Sequence, residues 1–369
     1  MREDPEGAVT GSTERGFGLV ETLMATLIAS ILLGVLLQLA ITAQGAVGVQ
    51  ADAVDLQQRL RVAVSMLQND LAMAGAGPSQ GGWRGGLARV FAPVVPARIG
   101  SRRPDAELSQ HADRISLIYV PDTSSQTTIR MPMGAADAAL AIDAAAPGCP
   151  AGGACGFSSG DRVLVFDPVD GDRAYDLFTV SAASSGLLSH PSALSRPYGV
   201  GSRVLRVVHR VYYLDRPGSR LMVYDGDSSD MPLVDHVVDL RFTYYAEPSP
   251  ASVPPPAEGQ SDCAYTAGSP PASLLQDLGG LALKALTPVQ LTDGPSCGVA
   301  PNRFDADLLR VRRVRVTLRL EAEAADLRGS GAAFVRPGTS VGAMRYLPDQ
   351  QVTFDVAPRN LGGVGYGPR

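Results

Sequence analysis

One acidic residue, Glu21, lies inside a long apolar run, and its position suggests chemistry more directly than that of any other side chain. It is the only charged residue between Phe17 and Ala43. A carboxylate within a membrane span costs about 3 kcal/mol or more unless a partner reaches it, so an ionisable residue there is a functional hypothesis. The chemistry that this position predicts is pairing with a cation.

Two runs of aspartates could be mistaken for metal sites. Their members are Asp225, Asp227 and Asp230 in one short loop, and Asp167, Asp170, Asp172 and Asp176 in another. Calcium takes six to eight oxygen ligands, and neither run follows the twelve-residue loop that ends in Glu. We therefore predict no metal site, interpret the first run as a hairpin turn, and keep calcium binding as the alternative.

A third candidate is a row of arginines, Arg310, Arg315 and Arg319, on one face of a predicted strand. The apolar alternation in that strand slips at Arg312 and Arg313, which predicts a β-bulge. The row could form a basic docking surface for a neighbouring subunit or a phosphate-bearing ligand. We favour the other interpretation, a solvated face balanced by nearby acids.

Sequence motifs for catalysis are absent from the chain. It contains no Gly-x-Ser-x-Gly, P-loop, dinucleotide fingerprint or His-Glu-x-x-His. We therefore predict that the protein is not an enzyme and has no cofactor. The 32 basic and 37 acidic residues give a formal net charge of -5, which argues against a nucleic-acid partner.

The elements that must position these residues begin with one long helix. The run Phe17–Ala43 would extend roughly 40 Å as a helix, enough to cross a hydrocarbon core about 30 Å thick. Beyond it an apolar stripe at spacings of three and four predicts an amphipathic second half, ended by Gly75, Gly77 and Pro78. The stripe consists of Val49, Ala53, Leu56, Leu60, Ala63, Leu67, Leu71 and Ala74.

From residue 78 onward the pattern predicts a head made mainly of antiparallel sheet, so the fold class is α+β. A proline-rich insertion at 246–300 is expected to be an extended, poorly ordered excursion between two neighbouring strands. The predicted strands are Arg114–Val120, Arg162–Phe166, Ala174–Val180, Arg203–Leu214, Arg220–Tyr224, Val234–Tyr245, Leu308–Glu321 and Gln351–Val356.

The order of parts at the N-terminus resembles the type IV pilin and pseudopilin superfamily. Gly16 stands at the position of its cleavage site, Phe17 at that of the first mature residue and Glu21 at that of the fifth. The segment Asp70–Gly75 resembles the end of the stem helix in PilW-type minor pilins. The strands predicted within Leu233–Tyr245, Arg310–Glu323 and Gln351–Gly362 resemble the closing strands of their heads.

This resemblance implies a course of processing and assembly. A prepilin peptidase would remove residues 1–16, cutting between Gly16 and Phe17, and would N-methylate Phe17. Residues 17–43 would lie in the bacterial inner membrane, 44–77 would form the amphipathic half of the helix, and 78–369 would form a pilin-like head in the periplasm. Glu21 would then pair with the N-terminus of a neighbour as the subunit joins other minor pilins in the tip complex that primes assembly of the major pilin into a pilus.

Three alternatives to this minor pilin stay open. One is a GspJ-like minor pseudopilin of a type II secretion system, which would use the same chemistry in a shorter fibre. Another is a tip adhesin or DNA-uptake subunit whose head binds an outside ligand. The last is a plain single-pass anchor with Glu21 near the lipid headgroups.

The four cysteines all fall in the presumed exported head. In an oxidising periplasm, the natural pairing among the three possible ones is two local disulfides, Cys149–Cys155 and Cys263–Cys297. A zinc site is the rival interpretation, but no Cys-x-x-Cys occurs and the four histidines do not stand at ligand spacing.

Overall fold

The computed structural model describes residues 18–79, 85–151, 153–340 and 346–361, with the backbone alone for 41–48. Its one α-helix among these residues, α1, spans Leu19–Met73 without interruption. The helix ends just before Gly75, the first of the residues predicted to end it, which adopts a left-handed φ of 76°. A Cβ on Gly75 would also meet Leu361 at 2.6 Å, so the close approach of the chain there requires glycine.

The second half of α1 packs into the head along the predicted stripe. Leu56, Ala63, Leu67 and Leu71 are fully buried, and the stripe residues before and between them are partly buried against the same core. Each fully buried leucine contributes about 2 kcal/mol through the removal of apolar surface from water. The amphipathic half of the helix is thus held by burial of one face.

The described residues after α1 form twenty strands, all paired antiparallel. In chain order they are β1 Val94–Val95, β2 Arg114–Tyr119, β3 Gln126–Thr128, β4 Ala139–Ala141, β5 Arg162–Phe166, β6 Tyr175–Thr179, β7 Ala182–Ser184, β8 Leu187–Ser189, β9 Arg203–Arg206, β10 Val208–Asp215, β11 Arg220–Tyr224, β12 Asp230–Asp235, β13 Val237–Ala246, β14 Tyr265–Thr266, β15 Ala272–Ser273, β16 Lys284–Ala285, β17 Ser296–Cys297, β18 Phe304–Asp305, β19 Val311–Leu320 and β20 Gln350–Val356. Short 3-10 helices lie at Leu87–Arg89, Pro250–Ser252, Ala306–Arg310, Ala325–Leu327 and Arg359–Leu361.

The strands form four main sheets, with the orders β1-β2-β10-β11-β12, β16-β13-β19-β20, β3-β9-β5-β6 and β4-β8-β7. Helix α1 packs on β2 and β12 of the first sheet and on β19 and β20 of the second. This joint core extends into the third sheet through Leu164, Phe166 and Leu205, whereas a smaller core lies between the third and fourth sheets. The α+β class predicted from the sequence is therefore confirmed.

Three predicted strands differ from the observed ones by more than one residue at an end or by a break in the middle. The strand predicted at Arg203–Leu214 divides at Val207 into β9 and β10, which belong to different sheets. The strand predicted at Val234–Tyr245 divides at His236, whose φ of 59° turns the chain. Strand β19 begins at Val311 because the preceding residues form a 3-10 helix.

The bulge predicted at Arg312 and Arg313 is present in β19. Tyr245 pairs with Arg313 and Ala246 pairs with Val311, so Arg312 is the extra residue. The bulge lets Val311 and Val314 both face the core, where each is buried.

The insertion at 246–300 does connect two neighbouring strands, β13 and β19, but the expectation that it is poorly ordered was wrong. Its side chains Val253, Tyr265 and Leu291 are buried in the main core. Strand β16 of the insertion adds to the edge of β13. Apolar residues dispersed among the prolines fix the insertion to the head, because their burial removes apolar surface from water.

Candidate functional site

The exposed half of α1 is the part of the fold that packing does not explain. The segment Leu19–Ala40 has a mean hydropathy of 2.3, and none of it is buried. Its 22 residues extend about 33 Å at 1.5 Å per residue, which matches a hydrocarbon core about 30 Å thick. This is the one helix among the described residues that is long and apolar enough to cross a membrane.

The hydroxyl groups within this segment are satisfied by the helix itself. Thr22 donates to the carbonyl of Leu19 at 2.9 Å, and Ser30 donates to the carbonyl of Thr26 at 2.8 Å. Such backbone bonds lower the cost of placing hydroxyl groups in lipid, where no water can accept them. They are consistent with a hydrocarbon environment.

Glu21 lies in the first turn of α1, and its side chain is exposed. Its backbone N–H donates to the carbonyl of Gly18 at 2.9 Å, so the residue is held in the helix while its carboxylate projects outward. A carboxylate in the first turn is favoured by the helix dipole. The residues Gly16 and Phe17, predicted to flank the cleavage site, lie outside the described residues.

In addition to its apolar face, the second half of α1 contacts the head through a buried carboxylate, Asp70, near the end of the helix. Its two oxygens accept hydrogen bonds from the hydroxyls of Tyr212 at 2.6 Å and Tyr119 at 3.0 Å. The guanidinium of Arg210 lies 4.0 Å away. Burial, and then the nearby carboxylate, raise the pKa of both tyrosines well above the usual value, so they remain donors.

The apolar stripe predicted from the sequence did not include Asp70, although the residue is buried against the head. The residue stands three positions after Leu67 and seven after Ala63, so helical spacing puts it on the buried stripe. A polar residue in phase with an apolar stripe was the signal that could have identified it. The tyrosine partners come from β2 and β10 and were not predictable from local pattern.

The basic surface considered for Arg310, Arg315 and Arg319 does not exist as one face. Arg310 is fully buried in the 3-10 helix before β19, where it bonds backbone carbonyls of the insertion. Arg315 pairs with Asp355 at 2.7 Å and Arg319 with Asp349 at 3.0 Å. The two strand arginines therefore form the balanced face that we favoured.

Carboxylates of both acidic runs already bind other groups of the protein. Asp225 accepts three backbone N–H groups from residues 227–229 at 2.9 to 3.0 Å in the turn between β11 and β12, as the hairpin interpretation predicted. Asp170 pairs with Arg196 at 2.6 Å. Asp176 is buried and accepts from the backbone and hydroxyl of Ser195.

The fold also forms a cluster of three carboxylates that the sequence did not indicate. One oxygen each of Asp293, Asp305 and Asp307 lies within 4.8 Å of the other two. Asp305 accepts backbone N–H groups from Gly294 at 2.7 Å and Asp307 at 2.8 Å. Asp307 pairs with the buried Arg310 at 2.5 Å, while burial raises its pKa to about 6. The two buried carboxylates thus already have partners.

The head contains the two disulfides Cys149–Cys155 and Cys263–Cys297, the pairing expected from the sequence. The first closes a loop beside the smaller core, and the second ties the insertion, with Cys297 buried. No free cysteine remains, so none offers a thiolate to zinc. Disulfides are typical of oxidising compartments, and together with the apolar helix they are compatible with a membrane-anchored periplasmic head.

No family model, curated protein or solved structure among those compared matches this chain. Function must therefore be inferred from the residues and the geometry of the chain itself.

Proposed function

We propose that the protein is a PilW-like minor pilin, a non-catalytic subunit that helps to prime a type IV pilus. The observation that carries the proposal is a continuous helix whose first half is apolar and unburied and whose second half is fixed in a sheet-rich head. A simple anchor needs no rigid connection to its head. A helix that positions its head in a fibre does need a rigid connection, because the axial position of its membrane half relative to neighbouring helices then fixes the position of the head.

In this proposal Glu21 supplies the specific contact. Processing leaves the amine of Phe17 as a cation at the start of the membrane helix, and Glu21 of an adjacent subunit pairs with it. The desolvation cost of both charges makes an unpaired subunit less stable in lipid than a docked one. The remaining helix surface associates through close packing of apolar side chains in the membrane.

The direct test of this contact is Glu21→Leu in the full chain, compared with Glu21→Gln and with the neighbouring control Thr22→Val. Both Glu21 variants should reduce recovery in sheared surface fibres by at least about tenfold, while Thr22→Val should not. The amount of protein in the membrane fraction should stay constant, since removing the acid makes the span more apolar. Unchanged fibre recovery for Glu21→Leu would contradict the proposed contact and favour the alternative in which the helix is a plain membrane anchor.

A deletion strain separates the minor pilin from the pseudopilin. Loss of surface pili with normal protein secretion supports the proposed function. Loss of secretion with normal pili would assign the same helix chemistry to a type II secretion system.

A further inference from the structure

A cleft of about 760 Å³ runs along strand β6 in the head, far in sequence from the membrane helix. Every residue from Asp176 to Ser181 lines it, so the cleft follows the strand rather than crossing one of its faces. The segment 95–109 forms another wall, and residues 300–305 and 191–195 complete it.

Strand β6 is the edge of its sheet, and within the described part of the chain β5 is its one strand partner. The main-chain groups of Val180, just after β6, point to the side on which β5 lies. Its N–H donates to the carbonyl of Asp161 at 2.9 Å, and its carbonyl accepts from the N–H of Gly160 at 2.8 Å. Main-chain groups alternate in direction along a strand of an antiparallel pair. The main-chain groups of Tyr175, Leu177, Thr179 and Ser181 therefore point the other way.

The two ends of this outward row are already occupied. The side-chain amide of Asn302 donates to the carbonyl of Tyr175 at 3.1 Å. The N–H of Ser181 donates to the carbonyl of Ser189 at 2.9 Å. Between them, the N–H and carbonyl groups of Leu177 and Thr179 have no partner among the described residues. The edge is thus covered at both ends and left open for two outward positions.

The walls of the cleft indicate which ligand would fit this opening. Apolar side chains lie along it, among them Val95, Ile99, Leu291 and Leu308. Five carboxylates and two guanidinium groups also line it, a formal net charge of -3. Glu107 is exposed and has no ion pair among the described residues. A ligand complementary to these walls is extended and apolar and carries a positive charge.

We propose that this cleft binds an extended, basic peptide segment of a partner protein, which adds as a short strand to β6. Its backbone bonds the open N–H and carbonyl groups of Leu177 and Thr179, and an arginine or lysine side chain lies near Glu107. Backbone pairing supplies affinity and the walls supply selectivity, as in other cases of strand addition. This binding function is separate from the role of α1 in the membrane.

The test uses a labelled probe peptide, acetyl-Thr-Val-Arg-Val-Thr-amide, and fluorescence anisotropy with the full chain in detergent micelles. Replacing the central arginine by glutamate should weaken binding by at least about tenfold. N-methylation of alternate amides should abolish binding for one set of positions and spare it for the other, because only one set faces β6. Absence of binding up to about 1 mM peptide, or equal effects of both methylated sets, would overturn strand addition.

The charge assignment is tested in the protein by Glu107→Gln, with Glu258→Gln as the control at another exposed acid outside the cleft. The first variant should weaken binding of the arginine peptide about fivefold and leave the glutamate peptide unaffected or slightly improved. The control should bind both peptides as the unchanged chain does. Equal behaviour of the two variants would contradict the position given to the basic side chain.

Discussion

At the scale of single residues, the attachment of the helix depends on Asp70 and its two tyrosine donors. Asp70→Ala leaves the hydroxyls of Tyr119 and Tyr212 buried without an acceptor. We expect it to lower the free energy of unfolding of the head by about 3 kcal/mol, measured by urea denaturation in detergent. Asp52→Ala, at a half-exposed carboxylate of the same helix, should change it by less than about 0.5 kcal/mol.

The same interaction predicts a non-additive pair. Tyr212→Phe should cost less in the Asp70→Ala background than alone, because the hydroxyl it removes has then already lost its acceptor. Additive costs would show that Asp70 acts through something other than these hydrogen bonds.

A second residue-scale prediction concerns His209, which is buried and has no hydrogen-bond partner for either ring nitrogen. Burial, and then the charges of Arg162 and Arg210, lower its pKa to about 3. Its unfolded pKa is about 6.5, so the unfolded state binds the proton first as the pH falls. The contribution of neutral His209 to the free energy of unfolding is therefore fully present above pH 6.5 and is lost progressively as the pH falls from 6.5 to 3.

His209→Leu should therefore flatten the fall in stability over that range by up to about 1.4 kcal/mol per pH unit. Thermal unfolding measured from pH 7 to pH 4 tests this. An unchanged slope for His209→Leu would mean that His209 takes up its proton in the folded state.

At the scale of elements, the two halves of α1 should respond oppositely to truncation of a leucine. Leu67 is fully buried, whereas Leu36 is 62% exposed. Leu67→Ala should lower the free energy of unfolding of the head by about 2 to 5 kcal/mol through lost burial and a cavity. Leu36→Ala should leave it unchanged, as measured by the same denaturation, since that side chain contacts no part of the head. Equal effects would place the membrane half in the head's core.

Local patterns predicted most elements because each reflects a face that must be buried. The stripe on α1, the strands β2 and β5 and the slip in β19 all appear where the sequence places them. Pairings between distant strands were not available from local pattern. That is why the partners of Asp70, the neutralised arginines of β19 and the packed insertion emerged only from the fold.

At the scale of the whole molecule, the chain combines a helix that exposes its apolar half with a sheet-rich head in which strand β6 leaves two outward positions of its edge open in the cleft. The membrane half of the helix could be predicted from the sequence, because an apolar run of this length whose one charged residue is Glu21 is typical of a membrane span. The open edge of β6 could not be predicted, because it depends on the pairing of strands that are distant in sequence. Anchoring and assembly would thus lie on the helix, and peptide binding on the head.

The proposed function depends on processing at Gly16, because cleavage there would give the membrane helix an amine that the neighbour's Glu21 can reach. Mass spectrometry of the N-terminal peptide, from cells with and without prepilin peptidase, measures this directly. The proposed function predicts a mature chain that begins at N-methylated Phe17 and is absent when the peptidase is deleted. A chain that begins at Met1 in cells with active peptidase would contradict it.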